Sequence, residues 1–170
     1  MIALTKAHQQ AALLNNNVSS VALKLASSVG TPFSQSVASA LITLGGEIHG
    51  PTTLARQVIY SWSKEDIEAY MAKGKRIPGW GNNFFKDKID PAWDEMFRLL
   101  KEDYYPHFEN LVAVSSVVNH CSGRYLYPNA AAFTAITAEI LELIPGTEIM
   151  LAIVCRLPAW ATQYAEQKRC

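Results

Sequence analysis

Apolar side chains recur at three- and four-residue intervals along most of the chain, punctuated by proline, glycine and capping residues. Val18, Val21, Ala22 and Leu25 share one helical face that runs to Gly30. Thr31-Pro32 predicts an N-cap and a first-turn proline for a second helix carrying Phe33, Val37, Ala40, Leu41 and Leu44, stopped by Gly45-Gly46. Together they make a helical hairpin. Its Ser- and Ala-rich stretches, SSVALKLASSVG and SQSVASALITLGG, let helix axes approach closely, and periodicity alone leaves open whether against a helix of the same chain or of a second subunit.

Further along, the pattern predicts a helix from Thr52 to about Tyr60. Another runs from Lys64 to Lys73, opened by a Ser63/Asp66 capping box and stopped by Gly74. Asp90-Pro91 starts a helix with Trp93, Met96, Phe97 and Leu100 on one face, and Pro106 marks its approximate end. Leu111 to Val118 is rich in β-branched residues and compatible with a strand, but its length and neighbours favour a short helix. Pro128 precedes a helix carrying Phe133, Ile136, Ile140, Leu141 and Ile144, closed by Pro145-Gly146. Thr147 is expected to cap a final helix from Glu148 to about Lys168, kinked at Pro158. With no strand alternation, repeat or low-complexity linker, the fold class is all-α. Residues 1–63 and 126–170 form its core, and 64–125 a small inserted helical subdomain.

The 170 residues suffice for one sizeable core. The formal net charge of zero provides no global field for nucleic acid or an anionic membrane, so electrostatic recognition has to be local. No segment offers roughly 20 consecutive apolar residues, and the N-terminus lacks a signal-peptide pattern. The expectation is a soluble cytoplasmic protein with no membrane or nucleic-acid partner. Cys121, Cys155 and Cys170 have neither paired nor metal-ligand spacing, which predicts no disulfide framework and no metal site.

Candidate chemistry concentrates in two places. KRIPGWGNNFFKDKIDPAW, residues 75–93, surrounds an Asn pair with basic residues and glycines; Lys73, Lys75, Arg76, Lys86 and Lys88 against Asp87 suit an anionic ligand, or a solvated surface. His49 sits in a glycine-flanked turn just before a helix, where backbone N–H groups favour an oxyanion and a neutral imidazole. His107 and His120 have no evident partner, and His8 lies outside both places.

Four motifs follow in order: GGEIHGPTTLA, RIPGWGNNFFKDKIDPAW, YPNAAAFTA and AIVCRLPAWATQYAEQKR, preceded by the Asn-bearing hairpin. Together they resemble the citrate synthase family, to which citryl-CoA lyase modules are related. Members carry a Gly-Pro-Leu-His-Gly-Gly-Ala-like turn, an Arg-x-Pro-Gly-Phe-Gly-His loop ending in Lys-x-x-Asp-Pro-Arg, a Tyr-Pro-Asn-Val-Asp helix start and a Ser-Arg-x-x-Gly-Trp terminal helix. The resemblance covers residues 15 to 169 but only the C-terminal part of a full-length member, which implies a truncated, citrate synthase-like helical fold.

That resemblance assigns roles residue by residue. His49 matches the histidine that holds an enolate oxygen, Asn82 stands where a second histidine polarises a ketone, and Ala131 stands where the aspartate base would be. Arg156 matches a carboxylate-binding arginine, the arginine after Asp-Pro is Ala92, and Lys86 matches a contact to CoA phosphates, with Arg76 and Lys88 beside it. Gly79, Gly81 and Asn129 would bring backbone and amide to the substrate. Glu47 and Asp87 are the carboxylates in these motifs that could stand in for the missing base. The implied function is a divergent enzyme acting on a CoA thioester, an oxo or polycarboxylic acid, or both, by carbon–carbon bond formation, cleavage or acyl transfer. Ordinary citrate synthesis is not expected. The alternative is a non-catalytic module that binds CoA or a partner on the same scaffold. Coenzyme A or acyl-CoA is then a co-substrate, with no tightly bound cofactor. A homodimer through the hairpin helices is implied, and a second subunit could supply the missing section.

Overall fold

The computed structural model describes the chain except residues 15, 16, 45, 47, 48, 84, 87, 169 and 170 and the side chain of residue 14. Among the described residues there are nine helices: α1 (Ile2–Leu14), α2 (Val18–Ser28), α3 (Phe33–Ile42), α4 (Thr52–Tyr60), α5 (Lys64–Ala72), α6 (Asp94–Asp103), α7 (Tyr105–Ser122), α8 (Ala130–Ile140) and α9 (Ile149–Gln167). A 3₁₀ turn, Pro91–Trp93, leads into α6. No strand forms among these residues, and the all-α expectation holds. An isolated antiparallel bridge joins Trp80 to Pro128.

Local chemistry sets most boundaries. Asn17 caps α2 by accepting from Ser20 N at 3.0 Å. Ser63 and Asp66 complete the capping box of α5, and Gly123, at φ 61°, closes α7 in the left-handed conformation. Asp90 caps the 3₁₀ turn through Ala92 N at 3.0 Å.

Five features differ from what the sequence pattern gives. Residues 2–14 form a full helix, α1, which packs on α9 and on the 3₁₀ turn. Pro32 itself occupies the cap of α3, and the Thr31 carbonyl instead accepts from Tyr164 Oη at 3.2 Å. The segment expected to be a short helix is the 18-residue α7, with Pro106 in its first turn rather than only at the end of the helix before it. Finally, α8 stops at Ile140. Glu142 takes φ 53° and Leu143 N reaches back to Ala138 O at 2.9 Å, so Leu141 and Ile144 lie on the surface rather than on the buried face. Thr147 caps nothing, since its hydroxyl donates back to Ile144 O at 2.6 Å.

Helix α8 is the axis of the molecule. Every residue from Ala131 to Ala138 is buried, against α4, α1 and α9. Phe133 stacks on Trp93 with ring centroids 5.3 Å apart. Arg56 ties α4 to this axis: it donates to Glu139 at 2.7 Å, to Leu143 O at 2.8 Å and to the fully buried Glu148 at 3.0 Å. His107, expected to lack a partner, pairs with Tyr60 Oη at 2.7 Å and so links α7 to α4.

The hairpin α2–α3 has the reverse of the usual polarity. Ser19, Ser20 and Ser27 are buried on α2 and Ser36 on α3. Val18, Val21, Leu25 and Val29 form an exposed stripe at helical spacing. Small serines permit the tight approach: Ser39 Oγ on α3 donates to Ala22 O on α2 at 3.0 Å. Leu23, Ala40 and the fully buried Trp160 seal the joint against α9.

Candidate functional site

A cavity of about 290 Å³ opens where α1, α2, the turn before α4, the 75–93 loop, α8 and α9 converge. His49, Arg156, Asn82, Asn129, Gly79, Gly81, Arg76 and Ala131 all contribute to its wall, drawing together residues more than 100 positions apart. A second, larger cavity of about 910 Å³ adjoins it and shares Arg76, Gly81 and Asn82. Lys75, Lys86 and Arg124 add three further cations to that wall. Lys88 lines neither; its ammonium lies 6.0 Å over the Phe85 ring.

The loop owes its shape to backbone that only glycine accepts readily. Gly79 has φ +92°, and a Cβ there would lie 3.2 Å from both Ala55 Cβ and Ala132 Cβ. Asn129 clasps the loop to α8. Its N–H donates to Gly79 O at 2.9 Å and its amide to Gly81 O at 2.8 Å, while its side-chain oxygen caps α8 through Ala131 N at 2.9 Å. Asn129 was expected to bind substrate, and its amide is instead engaged with the backbone that shapes the site. Trp80 pins the loop to α7 through Nε1 to Ser115 Oγ at 2.9 Å.

Around Arg156 lies a hydrogen-bonded network. The guanidinium is 6% exposed and donates from Nε to His8 Nδ1 at 3.2 Å and from Nη1 to Ser19 Oγ at 3.4 Å. Among the described residues no carboxylate forms an ion pair with it. Burial lowers its pKa to about 10, which leaves it a cation at neutral pH. His49 Nε2 lies 3.3 Å from the same Ser19 Oγ. Ser19 spends its own proton on Asn17 Oδ1 at 2.8 Å, so in this arrangement His49 donates from Nε2. Rotating the hydroxyl onto Nε2 would move the imidazole proton to Nδ1. Burial first, and the Arg156 charge second, bring the His49 pKa down to about 4, and the ring is neutral at physiological pH.

The opposite wall is poorer in chemistry. Ala131 presents a methyl group in the first turn of α8. Asn82 donates from Nδ2 to Asp90 Oδ2 at 3.3 Å. Glu47 and Asp87, the two stand-in carboxylates, lie outside the described residues. Asp90 is the carboxylate that lines the cavity among those described, and it is already used as a cap. No cluster of three or more His, Cys, Asp or Glu residues able to hold a metal ion occurs among them.

Reading the residues alone missed His8, Ser19, Asn17, Asp90 and Arg124. Asn17 and Ser19 carry a legible signal, a cap residue opening a helix that buries serine. His8 carries none, because its partners lie 126 and 148 positions away.

The all-helical scaffold brings a buried guanidinium, with no ion-paired carboxylate among the described residues, and a neutral imidazole to a glycine-shaped loop, and known proteins share the scaffold. Residues 14–170 match the family described as "Citrate synthase, C-terminal domain". The chain belongs to the citrate synthase family. It is 24% identical over 164 residues to a citrate synthase of Synechocystis sp. (strain ATCC 27184 / PCC 6803 / Kazusa), covering 89% of this chain and 41% of that protein. In fold it resembles a citryl-CoA lyase from Hydrogenobacter thermophilus (TM-score 0.74, 19% identity, 94% of this chain and 66% of that one). It also resembles a citrate synthase from Thermotoga maritima MSB8 (TM-score 0.72, 19% identity, 94% and 47%). A third likeness is to an ATP citrate lyase from Methanothrix soehngenii, solved with citrate and coenzyme A (TM-score 0.73, 16% identity, 98% and 31%). The chain thus spans less than half the length of the curated citrate synthase it matches. Within the described residues no helix is long and apolar enough to cross a membrane.

Proposed function

We propose that the chain binds a CoA thioester together with a small oxo or polycarboxylic acid and makes or breaks the carbon–carbon bond between them, by a route other than ordinary citrate synthesis. The observation that carries this reading is Arg156, a buried cation on a cavity wall with no carboxylate ion-paired to it among the described residues, next to the neutral His49. A guanidinium so placed is suited to a carboxylate ligand by charge-assisted hydrogen bonds. His49, with its proton on Nδ1 after Ser19 turns, would donate to the thioester oxygen as negative charge develops there. Asn82 can donate from its amide to a ketone oxygen but cannot transfer a proton. Gly79 and Gly81 bring backbone close to the acid. Lys75, Arg76, Lys86 and Arg124 suit the phosphates of the CoA nucleotide in the adjoining cavity.

The methyl of Ala131 stands where the family's α-proton base would be, which favours cleavage: as the carbon–carbon bond of a citryl thioester breaks, its hydroxyl proton passes to water, the hydroxyl oxygen becomes the ketone of the oxo acid, and the thioester enolate takes a proton at carbon from water. The test is a panel of acyl-CoAs, oxo acids and citryl thioesters followed by mass spectrometry. Consumption of a thioester by the wild type, reduced at least about 100-fold in His49→Ala, is expected. No consumption, or an equally active variant, defeats the enzymatic reading. Ala131 also motivates a second reading, a module that binds CoA and carboxylates without turnover; saturable binding in calorimetry without product is its signature.

The exposed Val18, Val21, Leu25 and Val29 stripe supports a homodimer that covers the outer face of the hairpin. Residues 64–125 would then form the smaller unit of each protomer. Light scattering that shows a concentration-independent monomer rules the dimer out.

A further inference from the structure

His8 lies before the matched region of the family, in the first helix, yet it is 1% exposed and touches the anion site from behind. Its bonding fixes its protonation. A guanidinium only donates, so the 3.2 Å contact from Arg156 Nε requires a bare lone pair on His8 Nδ1. The ring proton therefore sits on Nε2, 2.9 Å from Thr134 Oγ1, and Thr134 passes its own proton to Ala130 O at 2.7 Å. The edge of the ring meets Trp93 at 5.0 Å, which leaves little freedom to rotate. A buried arginine is ordinarily held by a carboxylate, which fixes the group and cancels its charge at once. Here the fixing partner is uncharged.

We propose that His8 is the positioning residue of the carboxylate site: as a neutral acceptor it orients the Arg156 guanidinium from behind without neutralising it, so that the full positive charge remains for a small carboxylate ligand. This rests on the carboxylate-binding part of the proposed function, not on turnover. Burial foremost, and the Arg156 charge second, hold the His8 pKa well below its ordinary value, in keeping with an imidazole that accepts from a cation. The charge of Arg156 would reach the ligand through its remaining N–H groups, while Nε points into the protein.

Two near-isosteric variants separate orientation from charge. His8→Asn keeps an uncharged acceptor near the Nδ1 position, and His8→Asp keeps the acceptor but adds the missing negative charge. Titration calorimetry with citrate and with oxaloacetate at neutral pH is expected to show His8→Asn within about threefold of wild type and His8→Asp weakened by about tenfold or more. His8→Leu, which removes the acceptor and keeps the bulk, should weaken binding to a similar extent. Thermal melting of each variant identifies loss of fold as a separate cause, and nitrogen NMR of wild-type His8 should report the Nε2–H tautomer. Equal affinities for His8→Asn and His8→Asp in folded protein overturn the proposal, as does a protonated Nδ1 or a wild type that binds neither acid at millimolar concentration. Carboxylate binding that follows this order without thioester turnover supports His8 and rejects the enzymatic reading. Turnover with no dependence on residue 8 does the reverse.

Discussion

The two walls of the cavity are built to different standards. On the side of α1, α2 and α9, Arg156, His8, Ser19, Asn17 and His49 form one connected network with donors and acceptors matched. On the side of α8 and the 75–93 loop, the wall includes Ala130, Ala131, Trp93 and an Asn82–Asp90 contact at 3.3 Å, with Arg76, Asn83 and Asn129 at its edges but no imidazole or acid free of a structural role among the described residues. On the proposed reading, binding chemistry and proton-transfer chemistry are physically separable here: the guanidinium proposed to hold an anion is in place, and a methyl group stands where the base would be. The two walls belong to different helices, and His8 with Thr134 is a side-chain hydrogen bond that joins them.

The sharpest way to break this contrast is to repair the poor wall. Ala131→Asp places a carboxylate in the first turn of α8, where the helix dipole also favours it. Exchange of acetyl-CoA α-protons with deuterated water should rise by about 100-fold or more over wild type. An unchanged exchange rate in folded variant would mean that the cavity does not present the thioester to residue 131. Damaging the rich wall comes next. Arg156→Gln should weaken citrate or oxaloacetate binding by about tenfold to 100-fold in calorimetry, and an unaltered affinity would remove Arg156 from the anion site.

Acidity tests the rich wall as a whole. His8 and His49 both have folded pKa values depressed below the ordinary histidine value, the latter to about 4. The unfolded chain therefore takes up protons first as pH falls. Their contribution to stability is complete above about pH 6.5 and is lost progressively toward pH 4, at no more than about 1.4 kcal/mol per pH unit for the fully buried His8. Thermal melts between pH 7 and 4 should follow this fall, with a shallower slope in His8→Asn. The smallest effect belongs to Asp90. Asp90→Asn keeps a cap acceptor for Ala92 N but sets a donor against the Asn82 amide, for a loss of about 1 kcal/mol in denaturant unfolding. A collapse of turnover larger than that loss explains would make Asp90 a proton acceptor in its own right.

Much of the architecture was legible in the order of residues because helix ends are chemically marked. Ser63 with Asp66, Asp90-Pro91 and Gly74 all act where local stereochemistry says they should. His49, Arg156, Asn82 and the two loop glycines could likewise be picked out through their motifs, and all line one cavity. Helix α1 was invisible because IALTKAHQQAALL carries alanine, threonine and glutamine on faces whose burial is decided by α9 and the 3₁₀ turn. Its His8 could be understood only once a segment 148 residues away had been placed against it. The reversed polarity of α2 had a similar cause: Ser19, Ser20 and Ser27 hold one face and Val18, Val21 and Leu25 another, and only the packed neighbours decide which face turns in. Lys88 shows the limit of adjacency in sequence, since it stands two residues from Lys86, which lines the second cavity, and itself lines neither.

Gly79 sets a mechanical limit on all of this. With α4 on one side and α8 on the other, each closer than ordinary van der Waals distance to where a side chain would begin, that point of the loop has no room to spare. Asn82, three residues along, follows a stretch held at Trp80 by Ser115 and at Gly81 by Asn129. A side chain at Gly79 would have to displace α4 or α8, so a change that widens the pocket has to come from other residues.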